Sequence, residues 1–426
     1  MPNQILGKGN YNFIDLFAGA GGLSEGFIQA GFNPIAHVEM NQFAVQTLIT
    51  RSAYYYLKQT DRLDIYYRYL SGDITREDFL KIIPNRIVKT VICETMSDDT
   101  LPEIFKTIDE IMKIRKIQNV DVVVGGPPCQ AYSLVGRAQS SHMSRPMSED
   151  PRNELYKLYA RVLKRYQPKM FVFENVMGIS SANSGTIFKN LTKYLRRVGY
   201  EIECHEQNSK DFGVLQNRRR MIIVGWLKNS EMKYPTFLKK ETTFTVNDLL
   251  ADLPKLTPGL SATKYRTVEC SQYITETNIR TSKDVLTLHT SRPNKERDIE
   301  IYKIAIELWN NGHKRLNYND LPEELKTHKN RNSFVDRFKV VEGDEQCCHT
   351  ILAHLSKDGH YFIHPDIEQH RSITVREAAR IQSFPDSYFF EGPRTAQFIQ
   401  VGNAVPPLMA KGIALGIAEQ LNKRQE

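Results

Sequence analysis

Short apolar runs alternate with stretches of helical periodicity along the first half of the chain. The runs rich in β-branched and aromatic residues predict buried strands at 13–17, 35–39, 120–124, 169–176 and 221–225. Apolar residues three and four positions apart predict helices that begin near Leu23 and Leu155, and helices over 101–117 and 187–198. Strands that alternate with helices in this way predict an α/β fold built on an open sheet.

The predicted strand at 120–124 ends abruptly in a rigid turn. The turn reads Gly125-Gly126-Pro127-Pro128-Cys129-Gln130, and its glycines and prolines stop the strand. It places the Cys129 thiol at the carboxyl end of a strand, where ligands bind in open α/β sheets. Most free cysteines are small buried hydrophobes, but a core cysteine needs neither two prolines before it nor a polar residue after it. We therefore predict that Cys129 is a nucleophile.

The first predicted strand leads into a glycine-rich turn, Ala18-Gly19-Ala20-Gly21-Gly22, and then into a helix. The turn lacks the G-x-G-x-x-G pattern and a following Lys-Ser/Thr, so it favours an adenosine-bearing cofactor without a pyrophosphate. Glu39 ends the next strand, where an acid would bind ribose hydroxyls. Asp73, in the turn Gly72-Asp73-Ile74, is a second candidate acid, for an adenine amine. Helix capping and surface exposure are the ordinary uses of such acids.

Further polar residues follow the nucleophile. The serine- and glycine-rich segment from Gln130 to Pro151 predicts a mobile lid. Glu174 ends the strand at 169–176, where a carboxyl group would form an acid/base or recognition pair with the thiol. Arginines at 218–220 open the strand at 221–225; they would contact a phosphate or a base carbonyl, or form a solvated edge. Residues 51–70 and 82–119 are interpreted as elaborations on the fold.

Composition narrows the class of protein. The 426 residues, 25% of them charged and 41% hydrophobic, predict a soluble globular chain of two domains, or of one large domain with a substantial insertion. Residues 1–10 do not form a signal peptide, and no apolar run is long enough to span a bilayer. Six scattered cysteines without a Cys-x-x-Cys pair favour a reducing cytoplasm. The net charge of +8 favours a polyanionic partner, with nucleic acid first.

Together these motifs resemble those of one family. The turn that follows Asp15, the Pro-Pro-Cys segment, the Phe173-Glu174-Asn175-Val176 segment and the arginines at 218–220 occur in the order found in DNA (cytosine-5)-methyltransferases of the bacterial restriction-modification type. Residues 371–385 and 400–407 resemble the two last motifs of that family. The resemblance covers roughly 11–228 and 345–423.

The resemblance implies a Rossmann-like S-adenosylmethionine-dependent methyltransferase domain at 11–228 with a smaller, loop-rich target-recognition domain at 229–345, followed by a return to the catalytic domain at 346–426. It implies double-stranded DNA as the partner, with the target cytosine flipped out of the duplex. It also implies release of S-adenosylhomocysteine, a possible cognate restriction endonuclease, a monomer and a cytoplasmic location.

The resemblance further assigns residues to roles. The catalytic residues are Cys129, Glu174, Arg218 and Arg220. The cofactor-binding residues are Phe17, Ala18, Gly19, Gly21, Gly22, Leu23, Glu39, Met40, Asp73, Ile74, Pro128, Leu155, Asn403 and Ala404. The lid and its closing segment would contact DNA through Gln130, Ser133, Arg137 and Arg152.

Beyond Lys228 the family signature stops until Glu345. Residues 256–340 are mildly basic, with 15 Lys/Arg against 11 Asp/Glu, and 299–309 predicts a helix. The candidate DNA-reading residues are Tyr265, Arg266, Arg280, Lys283, Arg292 and Lys295. The cluster from Cys347 to His364 matches no standard zinc spacing, so no metal is predicted. Residues around Thr350 and Gly359 predict strands, and 405–421 predicts a final helix.

Three other functions remain as alternatives. Transfer-RNA cytosine methyltransferases share these motifs but carry a Cys-Phe-Thr signature that this sequence lacks. A catalytically silent DNA-binding homologue would have lost Cys129 or Glu174, and both are present. A nicotinamide-dependent oxidoreductase would share the general fold but not the glycine pattern or the Pro-Pro-Cys turn.

Overall fold

The computed structural model describes residues 11–127, 155–177 and 186–423. Its main feature is a seven-stranded sheet in the order β3-β2-β1-β4-β5-β7-β6, in which the first five strands run parallel and β7 is antiparallel to both neighbours. The strands are β1 (Asn12–Leu16), β2 (Asn33–Glu39), β3 (Val91–Cys93), β4 (Val122–Gly125), β5 (Met170–Asn175), β6 (Tyr200–Asn208) and β7 (Arg219–Leu227). The α/β prediction is confirmed.

Helices cover both faces of this sheet. The helices of the described residues are α1 (Gly22–Gln29), α2 (Gln42–Gln59), α3 (Leu63–Leu70), α4 (Arg76–Ile82), α5 (Asn85–Val88), α6 (Leu101–Arg115), α7 (Leu155–Tyr166), α8 (Thr186–Arg197), α9 (Asn247–Leu250), α10 (Gln272–Glu276), α11 (Glu296–Asn310), α12 (Val375–Ile381), α13 (Arg394–Asn403) and α14 (Pro407–Asn422). Because side chains alternate along a strand, Ile14 packs against α6–α8 while Phe13 packs against α1 and α14. Burying both sheet faces explains why the central strands are almost wholly apolar.

Close packing of α1 on α14 explains two glycines. A Cβ on Gly22 would lie 2.2 Å from the Val405 carbonyl oxygen, and one on Gly26 would lie 2.4 Å from the Ala410 Cβ. Contrary to the expectation from sequence, one stretch, Arg394–Asn422, is long and apolar enough to cross a membrane by composition, but 67% of its most apolar window is buried inside the protein. The apolar side chains of this stretch therefore pack inside the protein, many of them in the core that also contains α1.

The structure corrects several local predictions. The segments interpreted as elaborations contain the second half of α2, all of α3 and the short strand β3, which extends the sheet beyond β2. Strand β6 was not predicted, because it is half exposed and lacks a continuous apolar run. Around Thr350 and Gly359 the described residues form isolated bridges, such as Gln216 with Cys348, and no regular strand.

The second half of the chain has two hydrophobic cores. One joins residues between 246 and 288 to residues between 341 and 404, and it includes Phe384 and Val401. The other is built from α11 and the segment up to Val340, with Ile363 packed into it. The polypeptide after 345 thus contributes to both cores.

Buried arginines connect the segments of the second half of the chain. Arg380 donates to Asp252 at 2.5 Å and to Asp386 at 2.6 Å, while Arg371 binds both carboxylate oxygens of Glu377. All of these side chains are buried. Nearby Arg380 lowers the pKa of Asp386 against the opposing effect of burial. The segment that resembles a late family motif therefore serves as a scaffold.

Candidate active site

The carboxyl ends of the parallel strands gather the polar residues at one edge of the sheet. Leu16 pairs with Val38 on one side and with Gly125 on the other, and Gly125 pairs with Phe173. The residues that follow these strands therefore lie next to one another. The start of β7 reaches the same edge, because β7 runs antiparallel to β5.

The turn between β1 and α1 is held by Glu39. The Glu39 carboxylate accepts hydrogen bonds from the Gly19 N–H and the Asn41 N–H, both at 2.8 Å. Burial raises the pKa of this carboxyl group despite those hydrogen bonds. Phe17 and Gly19 have φ angles of 55° and 54°, in the left-handed region. A Cβ on Gly19 would meet no atom of the described residues within 4 Å, so the turn offers space for a ligand.

The neighbouring glycines face protein. A Cβ on Gly21 would lie 2.9 Å from the Tyr388 hydroxyl, and one on Gly22 would lie 3.1 Å from the Ala404 Cβ. Asn403 is exposed beside this contact, whereas Ala18, Leu23 and Ala404 are buried. The structure thus brings residues 403–404 to the first turn of the chain. Gly21 and Gly22 allow close packing of protein.

Asp73 does not lie at this edge, contrary to its predicted place. Asp73 is exposed and Ile74 half-buried in the turn between α3 and α4, within the helical segment 42–88. Glu94 is the acid that lies at this edge instead, because it directly follows β3, the strand that pairs with β2. Its N–H donates to the Glu39 carbonyl at 3.0 Å. The signal that could have found it is the short apolar run of β3 followed directly by an acid. Met40, 62% exposed, adds an apolar side chain beside Glu39.

Glu174 lies against the strand that leads to the predicted nucleophile. A Cβ on Gly126 would be 2.3 Å from the Glu174 carbonyl oxygen and 2.9 Å from its carboxylate Oε2. Glycine is therefore required for β4 to approach β5 this closely. Next to Glu174, the buried Asn175 side-chain nitrogen has no hydrogen-bond partner among the described residues.

The arginines at 218–220 have three different environments. The Arg220 Nε lies 2.8 Å from the Glu174 Oε1, and the two side chains are 12% and 16% exposed. Arg219 pairs with Glu206 on the surface. Arg218 is buried and donates to the carbonyls of Ile351, Gly402 and Asn403. The prediction that Arg218 is catalytic is therefore corrected. Arg218 instead holds residues 402–403 and Ile351 in place through these hydrogen bonds.

Several predicted residues fall outside the described ranges. These are Pro128, Cys129, Gln130, Ser133, Arg137 and Arg152. Leu155 begins α7 and is partly buried against the core on one face of the sheet. The described part of the candidate site consequently comprises the turn between β1 and α1 and the pair formed by Glu174 and Arg220.

Four of the six candidate DNA-reading residues have structural partners: Arg266 donates to the Ala251 carbonyl at the surface, and the other three are engaged inside the protein. Arg280 donates to Asp252 at 2.7 Å and stacks 3.6 Å from the ring centre of Tyr265, whose hydroxyl donates to Asp386. Arg292 is buried and donates to the Lys357 carbonyl, and burial lowers its pKa to about 10. These three predictions are corrected, because their polar groups are engaged inside the protein. Arg266, Lys283 and Lys295 are exposed.

The histidines near Cys347 also have structural roles. His349 contacts the Glu342 carboxylate at 2.6 Å and the Tyr361 carbonyl at 2.8 Å. His364 is buried 3.5 Å from Glu377, and burial lowers its pKa to about 3. These contacts organise the connection between the two halves of the chain.

Comparisons with known proteins agree with this geometry. A family model described as C-5 cytosine-specific DNA methylase matches residues 11–83 and 85–419. The Type II methyltransferase M.Bpa9945I of Bacillus paralicheniformis is 42% identical over 96% of this chain and 99% of its own length. The Type II methyltransferase M1.HphI of Haemophilus parahaemolyticus is 32% identical over 94% of this chain and 85% of its own length.

A solved structure supports the fold. The structure described as a DNA modification methyltransferase encoded within an E. coli prophage gives a TM-score of 0.62 and 23% identity. The match covers 97% of this chain and all of that one.

Proposed function

The chain belongs to the C-5 cytosine-specific DNA methylase family, and on that premise we propose how its residues carry out the reaction. The protein is a DNA (cytosine-5)-methyltransferase of the bacterial restriction-modification type. The observation that carries the assignment of residues is the contact between Gly126 and Glu174, with Arg220 bound to the same carboxylate.

Carbon 5 of cytosine is a weak nucleophile, so the enzyme must activate it. The Cys129 thiolate adds to carbon 6, which makes carbon 5 nucleophilic. After carbon 5 has been methylated, a base takes its proton and the electron pair of that C–H bond expels the thiolate from carbon 6. Glu174 binds ring nitrogen 3 and the exocyclic amine of the flipped base.

Arg220 has two roles in this scheme. Its Nε is 2.8 Å from Glu174, so it orients the carboxylate before the base arrives. Its remaining donors would bind the cytosine carbonyl oxygen, where negative charge develops as the thiolate adds. Arg218 keeps its structural role and makes no contact with the base.

The proposed methyl donor is S-adenosylmethionine, which supplies an electrophilic methyl group when bound. The space beside Gly19 can hold part of a ligand, and a side chain at this position would occupy that space. Glu39 would bind the ribose hydroxyls, Met40 would pack on the adenine, and Asn403 would close the turn. Glu94 or the polar residues after it replace Asp73 as the candidate partner of the adenine amine.

Target recognition is assigned to the region that begins at 229. Arg266, Lys283 and Lys295 remain candidates because their side chains are exposed. The loop 326–334 adds Lys329 and Phe334, the latter 71% exposed at a φ of 56°. Exposed cations and an aromatic side chain on one loop suit phosphate contact and base stacking. We also propose a cytoplasmic monomer that acts beside a cognate endonuclease.

Methyl transfer from labelled S-adenosylmethionine to plasmid DNA and to transfer RNA, followed by bisulfite sequencing, tests this function. We expect label in DNA at one short recurring sequence and none in RNA. Cys129→Ser should abolish transfer while DNA binding persists. Full activity of that variant would refute the nucleophile assignment, and label confined to RNA would refute the proposed substrate.

A further inference from the structure

A groove on the surface is lined almost entirely by positive side chains. Its lining consists of Lys189, Thr192, Lys193, Arg196, Arg197 and Lys228, and its volume is about 490 Å³. Five of these six residues are cationic. We call it the basic groove.

No acidic side chain in the part of the chain that the structure describes pairs with the cations of the basic groove. None of its five cations forms an ion pair within the described ranges, and residues 186–200 contain no acid. A second groove of about 450 Å³, between α6 and α7, provides a comparison. It holds four cations, but Arg165 pairs with Asp109, Arg161 with Asp98 and Lys106 with Glu103. Two grooves of similar size thus differ in whether their charge is compensated.

The amphipathicity of α8 does not fully explain this arrangement. Leu191 and Leu195 are buried, so the opposite side of the helix must be polar. Cations in the last turn, Arg196 and Arg197, also stabilise the helix dipole. Lys189 and Lys193 lie earlier in the helix and four residues apart, where like charges repel. Lys228 comes from the end of β7, so two separate elements contribute cations.

The groove lies at the edge of the sheet opposite the active site. The Lys228 N–H donates to the Gly199 carbonyl, and the neighbouring Leu227 N–H donates to the Lys169 carbonyl, just before β5 begins. Glu174 is at the other end of β5, a length of strand of about 17 Å at ~3.3 Å per residue. The groove is therefore separate from the edge that binds the target cytosine.

We propose that the basic groove binds the phosphate backbone of a second duplex DNA segment while the first occupies the active site. A row of unpaired lysines and arginines releases counterions on binding phosphates and needs no base sequence. The choice of DNA among polyanions rests on the proposed function. A second, sequence-independent contact would hold the enzyme near DNA while it searches for targets.

A bridging assay tests this proposal. Beads carry a duplex with the target sequence found by bisulfite sequencing, and the full chain is added with a fluorescent 30-base-pair duplex that lacks the target. The double variant Lys193→Ala/Arg197→Ala removes two groove cations. Lys106→Ala/Lys113→Ala removes two exposed lysines from the compensated groove and serves as the matched control. Thermal unfolding checks that both variants fold, and sedimentation checks that the protein is monomeric.

We expect the wild-type protein and the control to capture the fluorescent duplex, and the groove variant to capture at least fivefold less. The slope of log affinity for that duplex against log salt should fall by about two, at ~0.9 per lost phosphate contact. Equal capture by wild type and groove variant would overturn the proposal, as would no capture by wild type. Displacement of the fluorescent duplex by an RNA hairpin or by phosphatidylglycerol vesicles at lower concentration than by unlabelled duplex would overturn the choice of DNA. Methyl transfer to the bead-bound duplex by the wild type tests the proposed function separately.

Discussion

Replacing Gly126 with alanine tests whether the contact between β4 and β5 sets the geometry of catalysis. The added Cβ would lie 2.3 Å from the Glu174 carbonyl oxygen, whereas Cβ contacts in proteins essentially never fall below 3.0 Å. The turn must therefore move by at least about 0.7 Å, the difference between these two distances. Gly126 has no left-handed φ, so alanine adds crowding without backbone strain.

The turn should move, because β5 is held on both sides by β4 and β7. Overpacking of this kind costs about 1–3 kcal/mol of stability. The shift displaces the segment that carries Cys129, three residues further on, relative to Glu174. Misplacement of reacting groups by about 1 Å costs up to ~100-fold, so we expect a 10- to 100-fold lower kcat. The affinity for S-adenosylmethionine should fall less than the rate, since Gly19 and Glu39 lie on other strand ends and only Pro128 of the predicted cofactor-binding residues follows Gly126 in the turn.

Single-turnover methyl transfer and equilibrium binding of S-adenosylmethionine separate these effects. The matched control is Gly312→Ala, because Gly312 also lacks a left-handed φ and its added Cβ would meet only the Lys314 Cε at 3.9 Å. We expect the control to keep wild-type rate and stability. A Gly126→Ala enzyme within twofold of the control in rate would show that this contact does not position the catalytic groups.

Three other predictions follow from the contacts described above. Arg220→Ala should lower kcat at least 10-fold with little change in the free energy of unfolding. Arg218→Ala leaves the carbonyls of Ile351, Gly402 and Asn403 without their donor, the first two in buried hydrogen bonds, and should cost about 3 kcal/mol in chemical denaturation. Equal losses of stability in the two variants would contradict this division. Glu39→Gln should lower the affinity for S-adenosylmethionine about 10-fold in equilibrium dialysis and leave the rate at saturating S-adenosylmethionine unchanged. Unaltered affinity would refute the assignment of Glu39 to the ribose hydroxyls. Hydrogen bonds from His349 and its charge outweigh the effect of burial and lower the pKa of Glu342 from 4.5 to about 2. The carboxylate therefore stabilises the fold above about pH 4.5, and this contribution is lost as the pH falls toward 2. Glu342→Gln should lose less stability than wild type over that pH interval, and parallel stability profiles would argue against the pair.

Local sequence was sufficient for much of the sheet edge. The strands that end near Phe17, Glu39, Gly125 and Glu174 are predominantly apolar, so their ends could be placed without a structure. Where the local signal was weak, prediction failed. Strand β3 has three residues and β6 alternates between buried and exposed positions, so neither stood out.

Sequence alone could not show which of the arginines at 218–220 pairs with Glu174. Arg218 and Arg220 are two residues apart in one motif, with the same charge and the same local pattern. Their roles diverge because residues 351 and 402–403 pack over Arg218, whereas Arg220 meets Glu174. The same applies to Arg280 and Arg292, whose partners Asp252 and Lys357 come from distant segments.

The sequence by itself determined the elements and the chemistry they carry: the strands, the Pro-Pro-Cys turn, the glycine turn and the acids at two strand ends. These features depend on neighbours in the chain, because strand periodicity and turn formation are local properties. The tertiary structure decided which polar side chains serve the site. In the folded chain Asn403 lies beside the turn near residue 19, and Asp73 lies away from the sheet edge. Arginines of the second half of the chain, such as Arg371 and Arg380, are buried and form ion pairs inside the protein. Most of those outcomes depend on contacts between separate segments of the chain, which burial and charge pairing fix only once the chain has folded.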